Sequence, residues 1–444
     1  MTAGARGLLV LVALVGGAYL PFIGGGLLTD DFVHLDRLAH VSAGEVIDKP
    51  DAFGFFRPVT QASLYLESLL HPSAPWLFRL TNVALHGLVL TMAFVVARLL
   101  LTSSAAAALA TLVFALTPKA HPIAALWISA RSELLMSLFA LVATWAWIVW
   151  TRGGGRSWLM TAMVAYALAI LSKETAFLLS AVLLVSPGAT VSLRHRAMAT
   201  SAMAGVAALA FAWRIEAGAL VPGTSDPHYT LATPLFRWGR NARNYVGRLL
   251  PVPLAAMIVL GIAGALQRSP TSRAAARSYG IPAFAIGWIA VFLLPVLPVV
   301  ARNELYLYLP AFGISVLTAY LIAAWANLPS PTRGLRAAVV LFAVACGGYQ
   351  VSRSWEMHEE LLFSGRLVEA FAAMPRAGVV SIAGEDENTR RLLKDTLGGY
   401  LPAVLRQAAP DGRLIAADSE DADTPGVLRL RCSYHDGRLV FQQQ

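Results

Sequence analysis

Long apolar runs separated by short polar breaks occupy most of this chain, and they predict membrane-crossing helices. Runs at about 8–28, 76–100, 103–117, 197–214, 249–266, 279–299, 305–326 and 335–350, with another through WISARSELLMSLF to Trp150, approach or reach spanning length. A helix needs roughly 20 such residues to cross a bilayer. A β-barrel would show short alternating segments instead. Residues 158–186 read as one helix, or as two short ones broken around Ser172, Lys173 and Glu174. Charge placement favours two, because two put Arg152 and Arg156 on the same face as Arg194 and Arg196. The pattern predicts about 11 crossings.

Polar residues gather in three places. Segments 29–75 and 215–246 are too long for simple turns, and the tail from about 353 changes character. In the tail, SWEMHEELLFSGRLVEAF predicts an amphipathic helix and VVSIAG a short strand. ENTRRLLKDTLGGYLPAVLRQA predicts a helix broken at glycine, and His435-Asp436-Gly437 a hairpin turn. The short loops holding Arg98, Arg152/Arg156, Arg194/Arg196, Arg268/Arg273/Arg277 and Arg333/Arg336 fall on the side of Arg6 and contain no carboxylate. By the positive-inside rule that side is cytoplasmic. The expected fold class is an all-α polytopic membrane protein with a small extracytoplasmic α/β C-terminal domain. Residues 1–352 form the membrane domain with outer loops 29–75 and 215–246, and 353–444 form the outer domain. The first run has no clear cleavage site and is expected to remain as a span.

Composition narrows the function classes. Of 444 residues, 57% are hydrophobic and 14% charged, against about 25% charged in soluble domains. The formal charge of +9 is explained by loop arginines, and no basic, aromatic-interleaved soluble surface points to nucleic acid. Two cysteines, Cys346 and Cys432, give neither a metal signature nor a disulfide framework.

Candidate chemistry begins with Asp30 and Asp31, adjacent carboxylates where the first run ends. Such a pair can bind a divalent cation (Mg2+ or Mn2+) or a sugar hydroxyl, or act as a general base. It equally fits a solvated helix end. Lys119, His121, Arg131 and Glu133 lie near one outer face, with Ser129, Glu133 and Ser137 on one helical stripe that should face the bundle interior. Lys173-Glu174 can neutralise a phosphodiester or anchor at the interface. Arg302-Asn303-Glu304 before LYLYLP suits a lipid-phosphate headgroup, or simply an aromatic belt. Arg57, and Asn82 with His86 at i, i+4, are polar groups in apolar surroundings that fit packing hydrogen bonds.

Together, Asp30-Asp31, FFRPVTQASLYLESLL, LFRLTNVALHGLVLTMAFVVARLL, HPIAALWISARSELLMSLFALVA, LSKET and ARNELYLYLPAFGISVL resemble the TMTC-type transmembrane O-mannosyltransferases and their bacterial relatives. Those belong to the GT-C superfamily of polyprenyl-phosphate-sugar-dependent glycosyltransferases. The resemblance covers about 25–350. It implies Asp30 or Asp31 as the catalytic residue, base or metal-assisting, and Arg57, His121, Arg131, Glu133, Lys173, Glu174, Arg302 and Glu304 as site-lining residues. It also implies a polyprenyl-phosphate-linked sugar donor, with an envelope glycan, lipid or protein as acceptor, at the outer face of a bacterial cytoplasmic membrane. The order Arg302, Asn303, Glu304, Leu305 departs from the relatives' glutamate-arginine-tyrosine version. The long helical-repeat tail of the eukaryotic members has no counterpart here. A flippase for a lipid-linked sugar, using the same polar groups, and a non-catalytic assembly protein are the competing expectations. Transporters often show two matching halves, and no such duplication is visible.

Overall fold

The computed structural model describes residues 12–13, 15–71, 74–117, 120–219, 231, 234–265, 280–300, 302–326, 333–374, 378–397, 399–412, 414–416, 427–435 and 437–443. Lys119, Asp436, the arginines at 6, 268, 273 and 277, and residues 220–230, 232 and 233 of the 215–246 loop lie outside the described residues. The chain is mostly helical. Segment 29–71 forms α1 (Asp30–Leu38), α2 (Ala43–Asp48) and α3 (Pro58–Leu70). Asp30 and Asp31 occupy the first turn of α1, where the helix dipole favours carboxylates. Ser42 and Glu45 close a reciprocal capping box on α2. Proline opens α3 and also α4 (Pro75–Leu101), at the helix position that needs no N–H partner.

The apolar runs fold as α5 (Ser104–Leu116), α6 (Ala120–Leu126), α7 (Arg131–Thr151, preceded by a 3-10 turn at Ile128–Ala130), α8 (Arg156–Ser172), α9 (Leu179–Leu184) and α10 (Leu193–Glu216). Then follow α11 (Leu235–Leu249), α12 (Pro251–Ala265), α13 (Gly280–Leu293) and α14 (Pro310–Ala326). Among the described residues, four helices are long and apolar enough to cross a membrane: Pro75–Leu101, Ile128–Thr151, Leu193–Glu216 and Glu304–Ala323. The pair α5 and α6, bent by 73°, makes a fifth if it is one broken span. Segments Arg156–Ser172, Glu174–Leu184 and Gly280–Val296 are apolar but shorter, so among the described residues helix length alone marks four or five of the expected 11 crossings. Buried residues of α4, α5, α7, α8, α13 and α14 share one core, with Trp147, Tyr166, Phe284 and Trp288 among its largest members.

Region 158–186 is two pieces. The helix breaks at Lys173, whose backbone is extended, and resumes as a 3-10 turn (Glu174–Leu178) leading into α9. The second piece returns to where the first began. The N–H groups of Thr190 and Val191 donate to the Thr151 carbonyl at 2.8 and 3.0 Å, and Arg152 reaches the Pro187 carbonyl. Both arginine pairs therefore lie at the same end of the bundle, as their charge predicts.

The last apolar run and the amphipathic tail helix are a single helix, α15 (Arg333–Ala372), of 40 residues. At 1.5 Å per residue it is roughly 60 Å long, about twice a bilayer core. Beyond it come β1 (Gly378–Gly384), α16 (Glu387–Leu397), α17 (Leu401–Ala408), β2 (Leu414–Ala416), β3 (Val427–His435) and β4 (Arg438–Gln443). The strand order is β2-β1-β3-β4, the first three parallel and β4 antiparallel. Along β3, Leu430, Cys432 and Tyr434 point to the core, while Arg431 and His435 are exposed. This cap shares its core with the segment that holds α1 to α3. Leu27, Phe32, Leu38, Val46 and Leu64 pack in one cluster with Phe363, Leu367, Val380, Leu392 and Val404.

Candidate active site

The two aspartates have different surroundings. Asp31 is fully buried. Its Oδ1 accepts from the Ser129 N–H (2.8 Å) and hydroxyl (2.6 Å), and its Oδ2 accepts from the Leu28 N–H (3.2 Å). Burial pushes its carboxyl above the usual carboxylate range, while the Ser129 and Leu28 bonds and the Arg79 charge pull the other way. Asp31 thus ties the outer segment to the start of α7. Asp30, one residue earlier, retains 8% exposure.

One turn beyond Ser129, Glu133 enters a cluster of charges built at the helix break. The Lys173 ammonium donates to Glu133 Oε2 at 2.7 Å, with both side chains almost wholly buried. Arg57 holds Glu174 bidentately, at 3.0 and 2.6 Å, and Arg214 approaches the same carboxylate at 3.7 Å. Lys173 lies 5.0 Å from the centre of the Tyr306 ring, and Arg57 lies 4.0 Å from that of Phe55. The break itself is stabilised, because the Ser172 carbonyl accepts from the Thr60 hydroxyl at 2.9 Å. Among the described residues, Arg57, Lys173 and Arg214 gather around the carboxylates of Glu133 and Glu174 at this break.

The 3-10 turn Glu304–Leu307 links this cluster to an apolar cavity of about 520 Å³. Glu304 pairs with Arg248 at 2.9 Å on the cavity wall, and Tyr306, two residues on, reaches Lys173. Leu116, Val252, Ala255 and Tyr349 line the remainder.

Not every expected residue joins this centre. Arg131 is a frame residue: its guanidinium donates to Glu67, Ser63, Asn82 and the Phe78 carbonyl, locking α3, α4 and α7 together. His121 is fully buried among the Phe114, His86 and Tyr308 rings. It therefore packs within the helices and does not meet the charges. Arg302 is exposed. Asn82 and His86 make the packing bonds expected of them, to Arg131 and to the Tyr308 hydroxyl. Sequence reasoning missed Arg214 and Arg79. The signal for both was an arginine within an apolar helix, which calls for a buried partner. As for a cation, Asp31 Oδ1 already accepts from the Ser129 N–H and hydroxyl, and Oδ2 accepts from the Leu28 N–H. The described residues hold no group of three His, Cys, Asp or Glu suited to a metal.

No protein-family model matches this chain, and no curated protein does. Solved structures do. The crystal structure of ArnT from Cupriavidus metallidurans, bound to undecaprenyl phosphate, matches 98% of this chain and 97% of its own, with a TM-score of 0.54 at 13% identity. The arabinofuranosyltransferase AftD from Mycobacteria matches 88% of this chain and 32% of its own, with a TM-score of 0.49 at 15% identity. The oligosaccharyltransferase of Archaeoglobus fulgidus in its apo form matches 89% and 64%, with a TM-score of 0.48 at 12% identity. The last two likenesses are too loose to carry an argument. Along nearly the whole chain, the fold is shared with ArnT. The narrower TMTC-type resemblance is not reached by these matches.

Proposed function

We propose that this protein transfers a sugar from a polyprenyl-phosphate-linked donor to an envelope lipid, glycan or protein acceptor at the outer face of the bacterial cytoplasmic membrane. The observation that carries the proposal is the gathering of Arg57, Lys173 and Arg214 with Glu133 and Glu174 at a broken helix in an otherwise apolar bundle. The same α7 entry bonds Asp31 through Ser129. A GT-C fold shared with a protein bound to undecaprenyl phosphate supports the donor class.

In this reading Asp30 is the base and Asp31 its anchor. Asp30 takes the proton of the acceptor hydroxyl, whose oxygen then attacks the anomeric carbon. The bond from that carbon to the phosphate oxygen breaks, and its electron pair leaves with the lipid phosphate. Lys173, Arg57 and Arg214 stabilise the charge that develops there. A single displacement inverts the anomeric centre. The apolar cavity beside Arg248 takes the first prenyl units, with the phosphate directed toward Lys173 across the Glu304–Leu307 turn.

A panel of radiolabelled polyprenyl-phosphate sugars, offered to membranes containing the protein, tests the class. Label passing from one donor to acceptor supports the reading. Donor that crosses the bilayer of reconstituted vesicles without any transfer would replace it with a flippase.

A further inference from the structure

We propose that the C-terminal cap is a working part of the catalytic centre: its helices α15 and α16 clamp residues 25–29 and so fix where Asp30 stands. The inference rests on Asp30 as the base, and it makes Gly26, Ser364 and Gly365 positioning residues.

The clamp consists of backbone contacts along the whole approach to the aspartates. Gly26 N–H donates to the Leu361 carbonyl at 2.7 Å, and Thr29 N–H to the Thr396 carbonyl at 2.7 Å. The Ser364 hydroxyl donates to the Leu27 carbonyl. From the opposite side, Arg79 donates to the carbonyls of Ile23, Gly25 and Gly26. The segment therefore runs between α15 and α4, with its last residue held by the end of α16.

Glycine is required at the crossing. Gly25 has φ +96°, and a Cβ there would lie 2.7 Å from the Leu361 carbonyl group. A Cβ on Gly26 would lie 2.5 Å from the Gly365 nitrogen, and one on Gly365 would lie 3.3 Å from the Gly26 nitrogen. Thr29, immediately before the aspartates, has φ 42°. A β-branched residue holds that conformation only when its surroundings impose it, and the Thr396 carbonyl is one of the groups that do. Further out, Arg406 of α17 pairs with Asp36 of α1 at 2.9 Å, and the shared core joins the same two bodies. None of these contacts touches Arg57, Lys173 or Arg214. The clamp can thus alter the position of the base while leaving the cation cluster intact.

The test uses full-length protein in nanodiscs, with Gly365→Ala as the mild variant, Gly26→Ala as the severe one, and Ser364→Ala to remove a bond without adding bulk. Three quantities are read: hydrogen exchange over residues 26–32, affinity for polyprenyl phosphate, and kcat and KM for transfer. Exchange over 26–32 should rise and kcat should fall roughly ten- to a hundredfold, as expected for a base misplaced by about 1 Å. Lipid affinity and donor KM should stay unchanged. An opened segment with unchanged kcat would overturn the proposal, as would kcat and lipid affinity falling together. Unchanged exchange in all three variants would overturn the clamp itself. If wild type transfers no sugar, the base assignment fails. The exchange data then still decide whether the cap holds the turn.

Discussion

Lys173 and Glu133 form a buried pair, so a single substitution at either confounds stability with function. Removing one partner strands the other charge in the interior, at a cost of about 3–5 kcal/mol. Lys173→Met should therefore lose both thermal stability and transfer. Lys173→Met combined with Glu133→Gln should recover most of the stability and none of the transfer, measured by thermal unfolding in detergent beside a transfer assay. Recovery of both would reduce Lys173 to a frame residue like Arg131. The residue types of this centre were legible in the sequence, because a lysine and glutamates inside apolar runs call for partners. Their pairing was not. Lys173 takes Glu133, 40 residues away, and Glu174 takes Arg57, 117 residues away. No local spacing encodes either choice. The contrast between Asp30 and Asp31 was equally hidden, since it depends on the Ser129 bonds from another helix.

Among the elements, α15 does two jobs that the sequence divides. Its apolar and amphipathic halves predict separate helices, yet no proline intervenes between about 350 and 354, and the helix continues. Its outer half carries Glu360, 6% exposed, beside Arg353 and Glu356 on the same helix and Arg391 and Asp395 on α16. Burial pushes the Glu360 carboxyl up to about 7, opposed by Arg353 and reinforced by Asp395. Because this pKa is raised in the folded cap, the folded state binds the proton more tightly than the unfolded one. The resulting stabilisation is complete below the ordinary value of 4.5 and is lost as pH rises toward about 7. Hydrogen exchange of α16 should quicken between about pH 5 and pH 7.5, and Glu360→Gln should flatten that dependence. An equal dependence in the variant would assign the effect to another group. The breaks at Lys173 and before the cap strands were readable from charge and alternation. The shorter apolar helices were not separable from full spans, because hydropathy reports burial and not length across a bilayer.

At the scale of the whole molecule, the membrane helices, the first outer segment and the cap meet at one place, the stretch from Gly25 to Asp31. The likeness to ArnT spans all three parts at 13% identity, so the two chains share an architecture with little sequence in common. What the sequence conveyed at this scale was the frame: apolar helices, a polar outer segment and a small mixed tail. It did not convey that the tail and the segment of α1 to α3 share a core, since Phe32 and Phe363 enter one cluster only by folding. The most direct test of the whole account is single-turnover transfer from a polyprenyl-phosphate sugar, comparing purified wild type with Asp30→Asn at equal folded protein and equal lipid affinity. The account predicts that Asp30→Asn loses transfer by about 10²–10⁴-fold, the contribution of a positioned general base, and that the wild-type product is inverted. Transfer at the wild-type rate by Asp30→Asn would contradict it.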